Sequence, residues 1–135
     1  MTTTVTRAIT KHFKRNDVLS AVEQGDTTTL RDLLELGIHP DRDFQNGLTP
    51  LEAAVCRGRT EAAELLIEYG ANVNIRDENG ATPLHHAAFD GNCEMVSLLL
   101  WYLADKDVED HYGQTPFEYA RFNSHSQVCW LLSNN

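Results

Sequence analysis

Residues 79–88 read NGATPLHHAA, and the threonine and proline inside this stretch return at a fixed distance on both sides. Thr49, Thr82 and Thr115 are each followed by proline and preceded by glycine two residues earlier, and their positions define a constant period of 33. A period of about 20 to 50 residues indicates a stack of structural repeats. The chain is therefore predicted to be a repeat protein.

Each threonine-proline pair predicts the start of a helix. A threonine hydroxyl accepts one of the backbone N–H groups that a helix start leaves unpaired, and proline suits the first turn because it has no N–H group. Glu52 and Glu118 follow their threonines by three residues and predict reciprocal capping boxes, while His85 holds that place in the middle copy. A leucine-rich second helix runs back antiparallel to each first helix, and Gly37 and Gly70 suit its left-handed end.

The asparagine-glycine pairs at 46–47 and 79–80 predict tight turns, so short hairpins should project between the helix pairs. The stretch 79–88 and the segment GANVN at 70–74 closely resemble the opening and closing segments of an ankyrin repeat. The chain thus resembles the ankyrin repeat family. This resemblance implies an all-α repeat solenoid of helix-turn-helix repeats with short projecting β-hairpin loops.

The period also divides the chain into units. Asn16 lies one full period before Thr49 and opens a first unit that lacks its hairpin. Terminal repeats are atypical because one of their faces has no neighbour, so we expect a complete stack of four repeats, capped at both ends. The predicted segments are a basic tail or capping helix at 1–15, an atypical N-terminal capping repeat at 16–43, ankyrin repeats at 44–76 and 77–109, and a C-terminal capping repeat at 110–135.

The composition predicts a single soluble domain in a reducing compartment. The longest apolar run, Leu98 to Ala104, is far shorter than the ~20 residues that cross a membrane. Cys56, Cys93 and Cys129 are odd in number and form no C-x-x-C motif, which argues against a disulfide framework. We expect a monomer in the cytoplasm, with the nucleus as an alternative, and no membrane partner.

Charge is divided unevenly along the chain. No acidic residue precedes Asp17, so the part from Asp17 onward carries all 20 acidic residues and 7 of the 11 basic ones. Such a body repels phosphate backbones, and the sequence from Asp17 onward shows no clustered basic pattern of the kind that nucleic-acid binding requires, so we expect no nucleic-acid partner. The acidity favours a protein partner with a basic or apolar segment and raises the rate of encounter with it. The alternative is that the acidity serves solubility alone.

The sequence contains no pattern that predicts catalysis, a cofactor or a metal. It lacks a glycine-rich phosphate loop, a nucleophile elbow, and the H-E-x-x-H or paired C-x-x-C motifs of zinc sites. His85 and His86 are adjacent, and neighbouring helical positions point about 100° apart, so the pair does not suit one metal ion. The resemblance instead implies that His85 hydrogen bonds at the junction of hairpin and helix. We therefore expect a non-catalytic protein-interaction module, an adaptor or a stoichiometric inhibitor.

The first fifteen residues allow several interpretations. Val5, Ile9 and Phe13 recur at four-residue intervals in a segment with four basic and no acidic residues. This pattern suits a helix that covers the first repeat, a frayed tail, a partner contact or a mitochondrial transit peptide.

The same segment carries the alternative function. Lys11-His12-Phe13, with Val18 five residues further on, is similar to the segment before the first repeat of myosin phosphatase targeting subunits. Lys11 departs from that pattern because it stands where an apolar residue is expected. The similarity implies a regulatory or targeting subunit of an enzyme such as type-1 protein phosphatase.

The family resemblance also implies where a partner binds. In ankyrin repeats the variable positions lie on the hairpin tips and first helices, which form an extended concave face. Phe89 and Phe122 hold the same repeat position, and with Tyr112 they predict an aromatic cluster typical of binding hot spots. The alternative is that both phenylalanines pack between first helices. The predicted partner-binding residues are Leu48, Arg57, Arg76, Glu78, Phe89, Asp90, Glu109, His111, Tyr112, Gln114, Phe122 and Asn123.

One segment departs from the repeat pattern. Leu103 takes the place that Gly70 holds one repeat earlier, and Trp101 replaces a glutamate. A left-handed leucine costs roughly 1–2 kcal/mol, so we expect either strain or a different helix end. Trp101 and Tyr102 are candidates for a second contact surface, and the alternatives are that Trp101 covers the last repeat and that Tyr102 packs between repeats.

Asn74 is a candidate modification site. It lies in the GANVN segment eight residues after Leu66, an arrangement similar to the acceptor sites of the asparaginyl hydroxylase that modifies ankyrin repeats. The alternative is that Asn74 hydrogen bonds within its own turn.

Overall fold

The computed structural model describes residues 17–41 and 48–134. These residues form eight helices arranged as four antiparallel pairs. None of the described residues lies in a strand, and Leu48 makes an isolated bridge. The pairs are α1 (Asp17–Gln24) with α2 (Thr27–Glu35), α3 (Pro50–Cys56) with α4 (Thr60–Glu68), α5 (Pro83–Asp90) with α6 (Cys93–Trp101), and α7 (Pro116–Phe122) with α8 (Ser126–Ser133).

The pairs stack in sequence order, with each first helix against the next first helix and each second helix against the next second helix. One buried alanine per first helix recurs with the repeat period, which lets the short first helices approach closely. One buried leucine per second helix recurs with the same period and fills the space between pairs. The alanines are Ala21, Ala54, Ala87 and Ala120, and the leucines are Leu33, Leu66, Leu99 and Leu132.

The predicted helix starts are confirmed at all three threonine-proline pairs. Thr49 accepts from the backbone N–H of Glu52 at 3.0 Å, and Glu52 Oε2 accepts from the N–H of Thr49 at 3.1 Å, which completes the capping box. His85 completes an equivalent box with Thr82. The reciprocal box predicted for Glu118 is wrong, because its N–H donates to Thr115 at 3.4 Å while its exposed carboxylate makes no return contact.

The tight turns between helix pairs are held by aspartate side chains rather than by strand pairing. The N–H of Asp77 donates to the carbonyl of Ala81 at 2.8 Å, and the Asp77 carboxylate accepts from the N–H groups of Asn79 and Ala81. Neighbouring turns are joined where His111 N–H donates to the Asn79 carbonyl at 2.9 Å. The predicted turn at 79–80 is therefore confirmed, and the one at 46–47 lies outside the described residues.

The first three second helices are each followed by a left-handed residue, as predicted for Gly37 and Gly70. Gly37 and Gly70 have φ angles of 90° and 102°, and Leu103 adopts the same region with φ 65°. The N–H of Leu103 donates to Leu100 and the N–H of Ala104 donates to Leu99, so the helix ends as the glycine-terminated ones do. Of the two expected alternatives, strain at Leu103 is the one observed.

Candidate protein-binding surface

Three predicted aromatic side chains are exposed on the turns and first helices of the last two repeats. Phe89 is 53% exposed near the end of α5, Phe122 is 87% exposed at the end of α7, and Tyr112 is 81% exposed in the turn before α7. The backbone carbonyl of Phe89 faces His125 Nε2 at 2.9 Å and accepts from Asn123 Nδ2 at 3.3 Å. These contacts join the ends of α5 and α7, so the two phenylalanines lie on adjacent helices of one surface, here called the first-helix face.

Tyr119, which is not among the residues predicted from the sequence, supports this face. Its ring packs edge-on against Phe89, with centroids 6.4 Å apart, and against His85, with centroids 4.8 Å apart. Its hydroxyl donates to Asp110 Oδ2 at 2.5 Å. Burial, followed by this contact, raises the pKa of Tyr119, so the phenol remains neutral and keeps donating.

The repeat period of the sequence relates Tyr119 to a residue of the preceding repeat. It lies one full period after His86, whose Nε2 contacts Asp77 Oδ2 at 2.8 Å. Asp77 and Asp110 hold the same turn position, so each receives a donor from the following first helix. Partial burial acts to raise the pKa of both carboxyls, but their hydrogen bonds outweigh it and lower both pKa values. His86 thus has a structural role at this turn.

His85 joins two repeats through both ring nitrogens. Nδ1 accepts from the N–H of Thr82 at 3.0 Å, which places the proton on Nε2, and Nε2 donates to the carbonyl of Gln114 at 2.8 Å. Burial is the main cause that lowers the pKa of His85, so the ring is neutral in this arrangement. In the part of the chain that the structure describes, no group of three or more His, Cys, Asp or Glu side chains is placed to hold a metal ion.

An acidic cavity of about 190 Å³ lies on the turn and first-helix side, at the junction of the second and third helix pairs. Glu52 is buried there with Oε1 lacking a hydrogen-bond partner. Burial is also the main cause that raises the pKa of Glu52. Two of the predicted contact residues, Leu48 and Glu78, are brought together in this cavity. Its lining consists of Leu48, Glu52, Cys56, Asp77, Glu78, Asn79 and His86.

Several predicted contact residues also hold the repeats together. The guanidinium of Arg76 donates to the carbonyls of Gly80 at 3.1 Å and Glu109 at 2.6 Å. Arg57 is exposed and lies 3.6 Å from the Glu23 carboxylate. Among the predicted residues, those exposed on the surface are Arg57, Arg76, Glu78, Phe89, Asp90, Glu109, His111, Tyr112, Gln114 and Phe122, whereas Leu48 and Asn123 are partly buried.

The two other candidate sites lie on the second-helix side and in the loop that precedes the third unit. Trp101 is 81% exposed, while the Tyr102 hydroxyl donates to Glu68 at 3.2 Å across the repeat boundary. Asn74 is partly buried, and its Oδ1 accepts from the N–H of Asp105 at 2.8 Å. Its side chain thus bonds the next repeat.

Stacked helix pairs with a constant period and aspartate-held turns define a repeat solenoid. A family model described as ankyrin repeats (3 copies) matches residues 18–110 and 76–135. The chain belongs to the ankyrin repeat family. The family model contains three copies, which is one fewer than the four repeats expected from the sequence, while the described residues form four helix pairs. No curated protein matches the chain.

Proposed function

We propose that the protein is a non-catalytic adaptor or stoichiometric inhibitor that binds a basic, partly apolar segment of a protein partner on its first-helix face. Ankyrin repeats are generally protein-protein interaction modules, and the family is typically non-catalytic. The exposure of Phe89, Phe122 and Tyr112 on one face is the observation that carries the proposal. Exposed aromatic residues commonly dominate the binding energy of an interface.

The charge on the same side of the stack supports a basic partner. Glu52, Asp77 and Glu78 line the acidic cavity, and Asp90 is exposed at the end of α5 beside Phe89. A lysine or arginine side chain of the partner would find carboxylates next to an apolar surface. Such complementarity raises the association rate and fixes the orientation of the partner.

We further propose that the protein acts as a monomer in the cytoplasm or nucleus. Cys56, Cys93 and Cys129 are free thiols, in keeping with a reducing compartment. No helix in residues 17–41 and 48–134 is long and apolar enough to cross a membrane.

Affinity capture followed by mass spectrometry tests the proposed function. The wild type and the double variant Phe89→Ser with Phe122→Ser serve as paired baits, with Glu64→Ser on the exposed side of a second helix as the control. We expect specific partners to be lost with the double variant and retained with the control. Identical partners for all three baits would refute the first-helix face as the binding surface.

The alternative function depends on Lys11, His12 and Phe13, which lie outside the described residues. A type-1 protein phosphatase assay separates it from the main proposal. Inhibition at micromolar protein that is abolished by Phe13→Ala and retained by Phe89→Ser would favour the regulatory subunit.

A further inference from the structure

Three large apolar side chains are exposed together on the second-helix side of the last two repeats. Trp101 is 81% exposed at the end of α6, Leu103 is 84% exposed just after it, and Trp130 is 64% exposed on α8. Contiguous apolar surface of this kind marks interaction sites in folded proteins. None of these residues belongs to the first-helix face.

The same positions are polar or small in the earlier repeats. Trp101 aligns with Glu68 and Trp130 aligns with Ser97, each one repeat earlier, while Leu103 aligns with Gly70. The repeat scaffold therefore folds without large apolar residues at these positions. The stability of the stack therefore does not explain why these apolar residues are exposed in the last two repeats.

Leu103 is exposed and also has an unfavourable backbone conformation. Its φ angle of 65° is one that glycine adopts freely and leucine avoids. The side chain gains little from burial in return, since most of it faces solvent. Residues held in unfavourable backbone conformations cluster at functional sites.

A groove between α6 and α8 connects these side chains. One part has a volume of about 680 Å³ and includes Trp101 and Leu103, and the other has about 370 Å³ and includes Trp130. Both parts share Ser97 and Leu131, so the groove is continuous. It follows the nine residues of α6, about 13 Å at 1.5 Å per residue, which matches about two and a half turns of a docked helix.

Carboxylates lie at both ends of the groove. Glu94, in the first turn of α6, lines one part, and Asp105, after the end of α6, lines the other. Lys106 also lies there and donates to the carbonyl of Leu132 at 3.3 Å, so the lining holds two carboxylates and one cation. This charge pattern suits an apolar helix with basic residues at its flanks. It opposes a second copy of the chain, whose formal net charge is −9.

We propose that the groove between α6 and α8 is a second docking site, which binds a basic amphipathic helix of a protein partner through Trp101, Leu103 and Trp130. Such helices place apolar anchors at i, i+3, i+4 and i+7 along one side. The site is separate from the first-helix face, so the protein can hold two partner segments at once.

The groove contains its own spectroscopic reporters, because Trp101 and Trp130 are the two tryptophans of the chain. Tryptophan emission of the full chain is followed while a helical peptide is added, with leucines at i, i+3, i+4 and i+7 and lysines at its other positions. We expect a saturable blue shift with one peptide bound per chain and reduced quenching by acrylamide. A peptide with glutamates in place of the lysines should cause no shift.

Ser97→Arg tests the location while leaving both tryptophans in place. Arginine occupies the equivalent position 31 of α2, so the substitution suits the helix but fills the floor of the groove. It should weaken peptide binding at least about tenfold. Glu64→Arg places the same side chain one repeat earlier and is the matched control, which should bind the peptide like the wild type.

Four results would overturn the proposal. They are an absent or non-saturable shift, equal weakening by both arginine variants, equal binding of the glutamate peptide, and tryptophans already shielded from acrylamide in the free chain. In the last case, shielding that depends on protein concentration would identify a second copy as the occupant. Shielding that persists on dilution would identify the chain's own residues.

Discussion

Glu52 and His85 hold the same position in successive capping boxes, but only His85 donates a hydrogen bond to the following repeat. The imidazole accepts from Thr82 through Nδ1 and donates to the carbonyl of Gln114 through Nε2. Glu52 accepts from Thr49 through Oε2 and leaves Oε1 buried without a partner. An ionised carboxylate cannot donate, so the repeat contact made by His85 has no counterpart at Glu52.

Replacing Glu52 with glutamine should stabilise the protein at pH 7. The carboxamide oxygen keeps the contact with Thr49, and the substitution removes a buried charge that no hydrogen bond to Oε1 compensates. We expect the free energy of unfolding to rise by about 1 kcal/mol in urea titrations, because an unsatisfied buried group costs more when it is charged than when it is neutral. Glu118→Gln, at the equivalent exposed position of the last repeat, should have no effect.

The gain from Glu52→Gln should depend on pH. Burial raises the pKa of Glu52, so the folded state binds this proton more tightly than the unfolded state does. The ionised carboxylate therefore destabilises the fold above that pKa, and the penalty disappears as pH falls through it. A variant that is less stable than the wild type at pH 7 would show that the orphaned oxygen has no energetic cost.

His85→Gln should lower stability at neutral pH by about 1–2 kcal/mol, because the bond to the Gln114 carbonyl is lost. Burial lowers the pKa of His85, so on acidification the unfolded imidazole is protonated first, near pH 6.5. The stabilisation that neutral His85 provides is therefore lost as pH falls through that value. Urea titrations between pH 7.5 and 5 should show the difference between wild type and variant shrinking. A difference that grows on acidification would contradict the assignment of the neutral ring.

Leu103→Gly should raise the stability of the free protein. Removing the left-handed strain of leucine adds roughly 1–2 kcal/mol to the free energy of unfolding. The greater conformational entropy of glycine in the unfolded chain offsets roughly 0.5–1 kcal/mol of this gain. We expect a net gain of about 0.5–1 kcal/mol in the free energy of unfolding. Leu103→Ala, which keeps the strain but removes the exposed side chain, is the control and should show no gain. A lower melting temperature for Leu103→Gly would mean that the leucine contributes packing that outweighs the strain.

Asn74 should gain one oxygen atom when the protein is co-expressed with the asparaginyl hydroxylase that modifies ankyrin repeats. Its position in the GANVN segment motivates this prediction, and its carboxamide oxygen already accepts from Asp105. Peptide mass spectrometry provides the readout, with Asn72 in the same peptide as the internal control. Absence of the modification at residue 74 would remove Asn74 from the list of candidate sites.

The period of threonine, proline and glycine predicted most of the fold because each of these residues has a local effect on the backbone. Thr82 caps its helix with its own hydroxyl, and Gly70 adopts a left-handed angle without steric cost. Contacts between repeats are harder to predict from the sequence. The role of Tyr119 depends on Asp110 and Phe89 being brought against it by stacking, which a single periodic pattern does not specify.

The groove between α6 and α8 was predicted only in part for the same reason. Trp101 departs from its repeat column and was noticed, whereas Trp130 lies beside the apolar residues Val128, Leu131 and Leu132 and was not singled out. Only the packing of α8 against α6 shows that Trp130 faces solvent while Val128 and Leu132 are buried.

The central claim is that Phe89 and Phe122 bind a partner and do not hold the stack together. The most direct test measures, on the double variant Phe89→Ser with Phe122→Ser, both the dissociation constant for a captured partner segment and the melting temperature. We predict binding weakened at least about 30-fold, since a hot-spot aromatic contributes about 2 kcal/mol or more, with only a small drop in melting temperature. Wild-type affinity would contradict the account. So would a melting temperature lowered by many degrees, because truncating a core phenylalanine costs roughly 3 kcal/mol or more of unfolding free energy.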